Sequence, residues 1–206
     1  MSGLSNFGFK GCRSVAVCIT ALALLLGSAP ASAHPHVWVT YEVSAVFKNA
    51  QLTALRQRWT FDDQFTSAVL GDIGKSKIKT VDRATAAKIR ANAFDNLANY
   101  QYFQHVNVNG RPINLGAPTD FNVKLKGDQL VYEFSLPLNP PVNPRLVQVT
   151  LGLWDSSFFV DYEPDNPKAV TTSGDGANGC VLSSSEDRAH PIFYGTINPL
   201  VWKLSC

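Results

Sequence analysis

Two histidines stand one residue apart in His34-Pro35-His36, directly after a run of small residues. Ala31-Ser32-Ala33 fits the A-x-A rule for signal peptidase, so cleavage after Ala33 would make His34 the first residue of the mature chain. The α-amine of such a histidine, with a reference pKa of about 7.7 to 8.0, and its imidazole can chelate one metal ion. A second imidazole from His36 completes a set of nitrogen donors that favours copper(II), with nickel and zinc behind it.

Pro35 excludes the common amino-terminal copper and nickel motif. That motif binds metal through the backbone amides of the second and third residues, and proline has no N–H. Ligation by the side chains and the amine remains possible, because His34 and His36 point to the same side of an extended chain. The alternative is that His-Pro-His is only a polar start to the mature chain, with His36 hydrogen-bonded to a neighbour on a strand.

Two acidic motifs offer further ligands. The segment RWTFDDQF places Asp62 and Asp63 at a strand-to-helix junction. A carboxylate there can cap the helix. Alternatively, it can ligate a metal ion or orient a ligating imidazole. The segment LWDSSFFVDYE places Asp155 in a turn between two strands. There Asp155 either forms an Asx-turn with Ser157 or faces the histidine site.

The two other histidines give weaker signals. His105 opens a predicted strand and is either a third imidazole ligand or, as is usual for a lone histidine, a half-buried surface residue. His190 precedes Pro191 in a predicted loop and is not assigned a role. The candidate metal ligands are therefore His34, His36, Asp62, Asp63, His105 and Asp155.

The first 33 residues have the features of a Sec-type signal peptide. Lys10 and Arg13 precede the apolar run from Val15 to Leu26, which is shorter than the roughly 20 residues that span a membrane. An uncleaved anchor is the alternative. We expect cleavage, a periplasmic location, and a mature chain, residues 34–206, that forms a single domain not embedded in the membrane.

Charge and cysteine content restrict the partners and the covalent links. Lys10 and Arg13 leave with the signal, so 16 of the 18 Lys and Arg residues remain against 16 Asp and Glu residues. This balance argues against nucleic acid or an anionic membrane surface as the main partner. Cys180 and Cys206 remain in the mature chain and most simply form one disulfide. A cysteine metal site is disfavoured, because there is no C-x-x-C pair and export favours oxidation.

The pattern of apolar residues predicts the fold. Asn109-Gly110 and Lys126-Gly127-Asp128 are predicted hairpin turns, and Asp82 to Asn99 is a predicted amphipathic helix. We expect a mainly β protein: an antiparallel β-sandwich with a helical insertion (α+β) at about residues 62–99. The predicted strands are 36–47, 52–61, 102–108, 121–125, 130–136, 146–153 and 158–162, with an extended crossover at 137–144 and loops at 71–80 and 166–179.

Four motifs in order, HPHVWV, RWTFDDQF, YFQHVNVNG and WDSSFFVDYE, followed by a late cysteine, give the chain a resemblance to a bacterial family. That family is a domain of unknown function often described as the periplasmic component of an uncharacterised ABC-type transport system. The resemblance covers about residues 34–184. His34 and His36 match the leading H-P-H of the family, Asp62 matches its first acid, and Asp155 matches the acid before the aromatic strand.

The resemblance implies an exported accessory protein connected with divalent metals, because members are commonly encoded beside nickel/cobalt-type membrane exporters. Two departures matter. The family usually has Glu where this chain has Asp63, and the acidic insert of some members is here GDIGKSKIKT, whose lysines argue against calcium. The chain is also smaller than two-lobed solute-binding proteins and lacks their βαβ alternation.

We therefore expect a non-enzymatic binding protein that holds one copper, nickel, cobalt or zinc ion, without an organic cofactor, for a membrane metal transporter. The alternative is an interaction protein that docks on the transporter without metal. The sequence has no G-x-S-x-G, H-E-x-x-H, phosphate-binding or EF-hand motif. A copper oxidase built on the N-terminal histidine is a third hypothesis, for which the sequence indicates no substrate groove.

Overall fold

The computed structural model describes residues 37–206, so the predicted signal peptide, His34 and His36 lie outside the described residues. The first hairpin consists of β1 (Val37–Lys48) and β2 (Gln51–Phe61), which pair antiparallel as predicted. Every odd-numbered residue of β1 up to Phe47 is buried, whereas Trp38 is 46% exposed. The alternation therefore gives β1 one face in the core and one outward face.

The first sheet has the strand order β5-β6-β2-β1-β8, and β9 also pairs with β1. Both β8 and β9 run parallel to β1, so this sheet is mixed rather than purely antiparallel as predicted. The strand β9 also occupies part of the segment 166–179 that was predicted as a loop. The bounds of these strands are Thr119–Lys126 for β5, Gln129–Val142 for β6, Val160–Pro164 for β8 and Val170–Gly174 for β9.

The proline-rich segment 137–144 was predicted as a crossover, but β6 continues through it to Val142. Pro137 lies opposite Ala54 of β2, and its carbonyl accepts a hydrogen bond from the Gly116 amide at 2.8 Å. Proline keeps its carbonyl acceptor and lacks only the amide N–H. A strand can therefore contain proline at a position where no neighbouring carbonyl needs that N–H.

The second sheet is antiparallel, with the order β10-β11-β7-β3-β4. The predicted turn at Asn109-Gly110 joins β3 to β4. Cys180 and Cys206 form the predicted disulfide, with their sulfur atoms 2.11 Å apart. The strands are β3 (Gln104–Val108), β4 (Arg111–Pro112), β7 (Val149–Leu153), β10 (Val181–Glu186) and β11 (Leu200–Ser205).

The two sheets form the predicted sandwich, and their inner faces are joined by both apolar and polar contacts. Tyr41 and Trp59 are almost fully buried in the core. The indole N–H of Trp202 donates to the Tyr41 hydroxyl at 3.2 Å, and the Gln57 amide donates to Gln104 at 2.7 Å. These bonds satisfy polar groups that would otherwise be costly to bury.

The helical insertion is present, and it extends to Phe103. It contains helices at Asp63–Asp72 and Arg83–Ile89, a π-helical turn at Arg90–Phe94 and a 3-10 segment at Asp95–Phe103. The segment predicted as one helix, Asp82 to Asn99, is helical, but its α-helical pitch ends at Ile89 and is followed by the π and 3-10 turns. Phe94 is fully buried, with its ring 4.2 Å from that of Phe121, so packing of Phe94 accompanies the change of helical pitch. Within residues 37–206, no helix is long and apolar enough to cross a membrane.

Candidate metal site at the start of the first strand

The start of β1 lies between the two acidic motifs of the sequence. Antiparallel β2 ends beside it, with Phe61 opposite Val39, and parallel β8 begins beside it, with Val160 opposite Val37. Asp62 and Asp63 follow the end of β2, and Asp155 precedes the start of β8. The topology therefore brings both acidic segments to the end of the sheet where His36 is covalently joined to Val37.

Asp62 fixes the start of β1 to the following helix. Its Oδ2 accepts a hydrogen bond from the Trp38 amide at 2.7 Å, and its Oδ1 accepts one from the Phe65 amide at 2.8 Å. The Asp62 amide in turn donates to the Trp38 carbonyl at 3.1 Å. The predicted capping role is confirmed. Because each carboxylate oxygen already accepts a backbone N–H, Asp62 is better suited to support a site than to ligate metal.

Asp63 is the free carboxylate of the pair. It is exposed in the first turn of the helix, and its side chain accepts no hydrogen bond within residues 37–206. The helix dipole favours a negative charge at this position. Asp63 is therefore available to a cation in a way that Asp62 is not.

Asp155 organises the turn that receives β1. The carboxylate is 9% exposed and accepts bonds from the Ser157 amide and hydroxyl at 2.9 and 2.8 Å and from the Phe159 and Val160 amides at 3.2 and 3.1 Å. The Phe159 carbonyl accepts a bond from the Val37 amide at 3.2 Å. The predicted Asx-turn with Ser157 is confirmed, and it ties this carboxylate to the first described residue of β1.

Two further acids lie on the outward face beside Trp38. Asp161 pairs with Trp38, and Glu163 pairs with Thr40, one alternation further along β8. Burial, together with the charge of Glu163, raises the pKa of Asp161 above its ordinary value. The sequence contains a signal for this pair, since the acids alternate with Tyr162, but their proximity to β1 depends on the parallel pairing.

His105 lies on the outward face of the second sheet. It stands opposite Gly152 of β7, and its ring stacks on Trp154 with centroids 3.9 Å apart and planes 5° apart. A Cβ on Gly152 would lie 1.9 Å from the Trp154 ring, so glycine makes room for this stack. Nε2 of His105 is 3.1 Å from the Trp154 carbonyl, and since a carbonyl can only accept, Nε2 carries the proton.

The environment of His105 favours the neutral imidazole. Burial lowers its pKa, although the bond to the Trp154 carbonyl opposes this shift. A neutral ring with one N–H held by a carbonyl is also the usual state of a ligating histidine. His105 is thus half-buried, as the sequence favoured, and still chemically competent as a ligand.

His105 and Asp155 line one cavity of about 670 Å³, and Asp62 and Asp63 do not line it. The cavity is also lined by Trp154, Asp187 and His190. Nδ1 of His190 is 2.9 Å from Asp187 Oδ2, a contact that lowers the pKa of Asp187. His190 was not assigned a role from sequence, and its spacing of three residues from Asp187 was the available signal.

Within residues 37–206, no three His, Cys, Asp or Glu side chains are grouped closely enough to hold a metal ion. The predicted ligands within the described residues lie in two separate parts of the fold. Asp62 and Asp63 lie beside β2, whereas Asp155 and His105 lie beside the cavity of the second sheet. Asp155 connects the two, because its turn also binds Val37.

Comparison with known proteins gives two relatives, both described as uncharacterized. The chain is 27% identical over 156 residues to a protein of Haemophilus influenzae strain Rd, a match that covers 73% of this chain and 74% of the relative. It is 26% identical over 94 residues to a 15.5 kDa protein in the trpE 3' region of Spirochaeta aurantia, covering 45% of this chain and 66% of that protein. The model of the family described as protein of unknown function DUF1007 matches residues 19–191. Since this match spans most of the sequence, the chain belongs to the DUF1007 family.

Proposed function

We propose that the protein is a periplasmic accessory protein that binds one divalent transition-metal ion through His34 and His36 and serves a membrane metal transporter. Copper, nickel, cobalt and zinc are the candidate ions. The observation that carries the proposal is the anchoring of Val37, whose amide donates to the Phe159 carbonyl at 3.2 Å. The Trp38 amide donates to Asp62 at 2.7 Å. The two histidines therefore directly precede a segment that is hydrogen-bonded to two neighbouring parts of the fold.

Negative charge at this point suits a divalent cation. Trp38 and Asp161 lie opposite each other on the outward face of the first sheet, close to the start of β1. Asp161 and Glu163 make no ion pair with a cationic side chain within the described part of the chain, and Asp63 is exposed nearby. A bound cation would offset the repulsion between Asp161 and Glu163.

The residues divide into ligands and supports. The imidazoles of His34 and His36 and the α-amine would supply the nitrogen donors, with Asp63 or Asp161 as an oxygen donor. Asp62 and Asp155 would hold the strand start in place, since their carboxylates already accept backbone N–H groups. His105 is the predicted ligand that the geometry supports least in this set, because its ring lies on the outward face of the other sheet.

A second candidate function is docking on a membrane partner without metal. Trp38, at the start of β1, is 46% exposed, and Phe159, whose carbonyl accepts the bond from the Val37 amide, is 47% exposed. Exposed aromatic side chains grouped at one end of a protein are typical of interaction surfaces. In that case His-Pro-His would be part of the contact with the partner.

The test begins with the full chain, leader included, produced in an exporting host and loaded mildly with metal. Native mass spectrometry should give a mass that begins at His34 and one bound transition-metal ion. His36→Ala should weaken metal binding by roughly tenfold or more, the scale expected for loss of one ligand. His190→Ala is the matched control and should leave it unchanged.

Two results would overturn the metal proposal. One is a mature chain that begins elsewhere, which removes the amine of His34 from the site. The other is equal metal affinity in the wild type, His34→Ala and His36→Ala. Association with the transporter that persists without metal but is lost in Trp38→Ala would instead support the docking function.

A further inference from the structure

We propose that the outward face of the first sheet carries a binding site for a small hydroxylated oxyanion, a carboxylate or a phosphate, centred on Arg56. The site is independent of the proposed metal site. The structure has a cavity of about 670 Å³ on this face, lined by side chains from several strands. Those that the proposal uses are Ser44, Arg56, Arg58, Ser135, Lys168 and Thr171.

Arg56 stands in a row of hydroxyl side chains that crosses the sheet. Ser44 of β1 lies opposite it on one side, and Ser135 of β6 lies opposite it on the other. The row continues to Thr171 of β9 beyond Ser44 and to Thr119 of β5 beyond Ser135. All four neighbours carry an uncharged hydroxyl group. Ser44 shares a hydrogen bond of 2.7 Å with Ser173, and Thr119 donates to Asp120 at 3.0 Å, so Ser135 and Thr171 keep unused hydroxyls within residues 37–206.

In the adjacent row on the same face, two glutamates neutralise the charge of Arg58. Arg58 stands between Glu42 and Glu133, with nitrogen-to-oxygen distances of 3.5 and 3.9 Å. Lys124 adds a contact of 2.6 Å to Glu133, and together these cations lower the pKa of Glu133. The guanidinium of Arg56, two residues earlier on β2, makes no ion pair or hydrogen bond within residues 37–206.

A second unpaired cation lines the same cavity. Lys168 lies in the connection between β8 and β9, and its ammonium group makes no ion pair in the described residues. The hydroxyl of Ser135 is close to the cavity floor, since the residue is only 9% exposed, and it makes no hydrogen bond within the described residues. Two unpaired cations and the unused hydroxyls of Ser135 and Thr171 are groups that an oxyanion can bind.

The ligand class follows from the donors and acceptors. The planar guanidinium of Arg56 can donate two parallel bonds to a carboxylate or a phosphate. Ser135 and Thr171 can donate to the remaining oxygens, and Ser44 can do so when Ser173 is the donor of the bond between the two serines. Glu42, Glu133 and Asp120 also line the cavity, and their carboxylates offer acceptors to hydroxyl groups of the ligand. A hydroxylated oxyanion fits both sets.

The test is calorimetric titration of the metal-free protein with citrate and, separately, with inorganic phosphate. Because citrate also chelates metals, the titrations are repeated in the His36→Ala variant, which separates this site from the proposed metal site. We expect saturable binding of at least one probe in both backgrounds. The probe that binds with the higher affinity shows whether the site prefers carboxylates or phosphates.

Arg56→Gln should weaken that binding by roughly tenfold or more, the effect of losing a charge-assisted pair of hydrogen bonds. Arg111→Gln is the matched control, because it removes the same charge from an exposed position on the second sheet. Both positions are exposed, so both variants should keep the fold, which circular dichroism checks. Absence of saturable binding of both probes, or equal weakening in the two variants, overturns the proposal.

Discussion

The carboxylate of Asp62 accepts a hydrogen bond from the Trp38 amide at 2.7 Å while its other oxygen caps the helix at Phe65. One side chain therefore connects the start of β1, the end of β2 and the first helix. Asp82 performs the same capping at the next helix, accepting a bond from the Thr85 amide at 2.7 Å, but within residues 37–206 its carboxylate accepts no hydrogen bond from β1. Both aspartates cap a helix, but only Asp62 also anchors β1, so variants of the two residues distinguish loss of a cap from loss of the anchor.

Asp62→Ala should lower the free energy of unfolding by about 1 kcal/mol or more through loss of the cap. Asp82→Ala should also lower it, for the same reason. Only Asp62→Ala should also weaken metal binding, because it releases Trp38 and the strand start to which the histidines are joined. Urea unfolding and metal titration check the two effects. Equal metal affinity in the two variants would show that the anchoring of Trp38 does not matter for the site.

Asp155 should be the most costly acid to replace in this region. Asp155→Ala removes the carboxylate that accepts bonds from the Ser157, Phe159 and Val160 amides in a partly buried turn, so the free energy of unfolding should fall by about 1–3 kcal/mol. Ser157→Ala removes a hydroxyl that donates to Asp155 and accepts a long bond of 3.4 Å from the Phe159 amide, and it should cost about 1 kcal/mol or less. A comparable loss in both variants, measured by denaturant unfolding, would mean that the hydroxyl rather than the turn stabilises this corner.

Local patterns in the sequence predicted the features that depend on neighbouring residues. The alternation from Val37 onward predicted the β1 hairpin, and Asp62 and Asp155 were assigned their cap and turn from residues within three positions. The pairing of β8 and β9 with β1 could not be predicted in this way. It joins residues more than a hundred positions apart, and nothing in either strand alone specifies a parallel partner.

The same reason explains what was missed at the candidate sites. The Asp161 and Glu163 pair faces Trp38 only because β8 runs parallel to β1. The stack of His105 on Trp154 exists only because Gly152 lies opposite His105 across two strands. The isolation of Arg56 is likewise a property of the register and not of its own segment.

The lowered pKa of His105 should be visible in the pH dependence of stability. A histidine whose folded pKa is depressed contributes stability above its unfolded pKa of about 6.5, and this contribution is lost as pH falls through the folded value, because the unfolded state binds the proton more readily. His105→Gln should therefore show a smaller loss of stability on acidification below about pH 6.5 than the wild type. His190→Gln, an exposed position, is the control.

Gly152→Ala tests the packing of His105 on Trp154 by filling the space that the tryptophan ring occupies. The added Cβ would collide with the Trp154 ring, so the ring should leave His105, and the imidazole pKa should rise toward its ordinary value. An NMR titration of the imidazole protons measures this shift, and tryptophan fluorescence reports the movement of the ring. An unchanged His105 pKa would show that the stack does not account for the burial.

Asp161→Asn should change stability and metal affinity in opposite directions. Without metal, the variant removes a partly buried charge whose pKa is raised by burial and by Glu163, so the free energy of unfolding should rise by a few tenths of a kcal/mol, roughly the effect of relieving one partly screened like-charge contact. With metal, it removes one of the negative charges that the cation would offset, so affinity should fall. Asp165→Asn, an exposed acid just beyond β8, should change neither quantity.

Thermal unfolding of Asp161→Asn, with and without the metal that copurifies, measures both effects on the same samples. A metal affinity that is unchanged in Asp161→Asn but lost in His36→Ala would restrict the site to the nitrogen donors and Asp63.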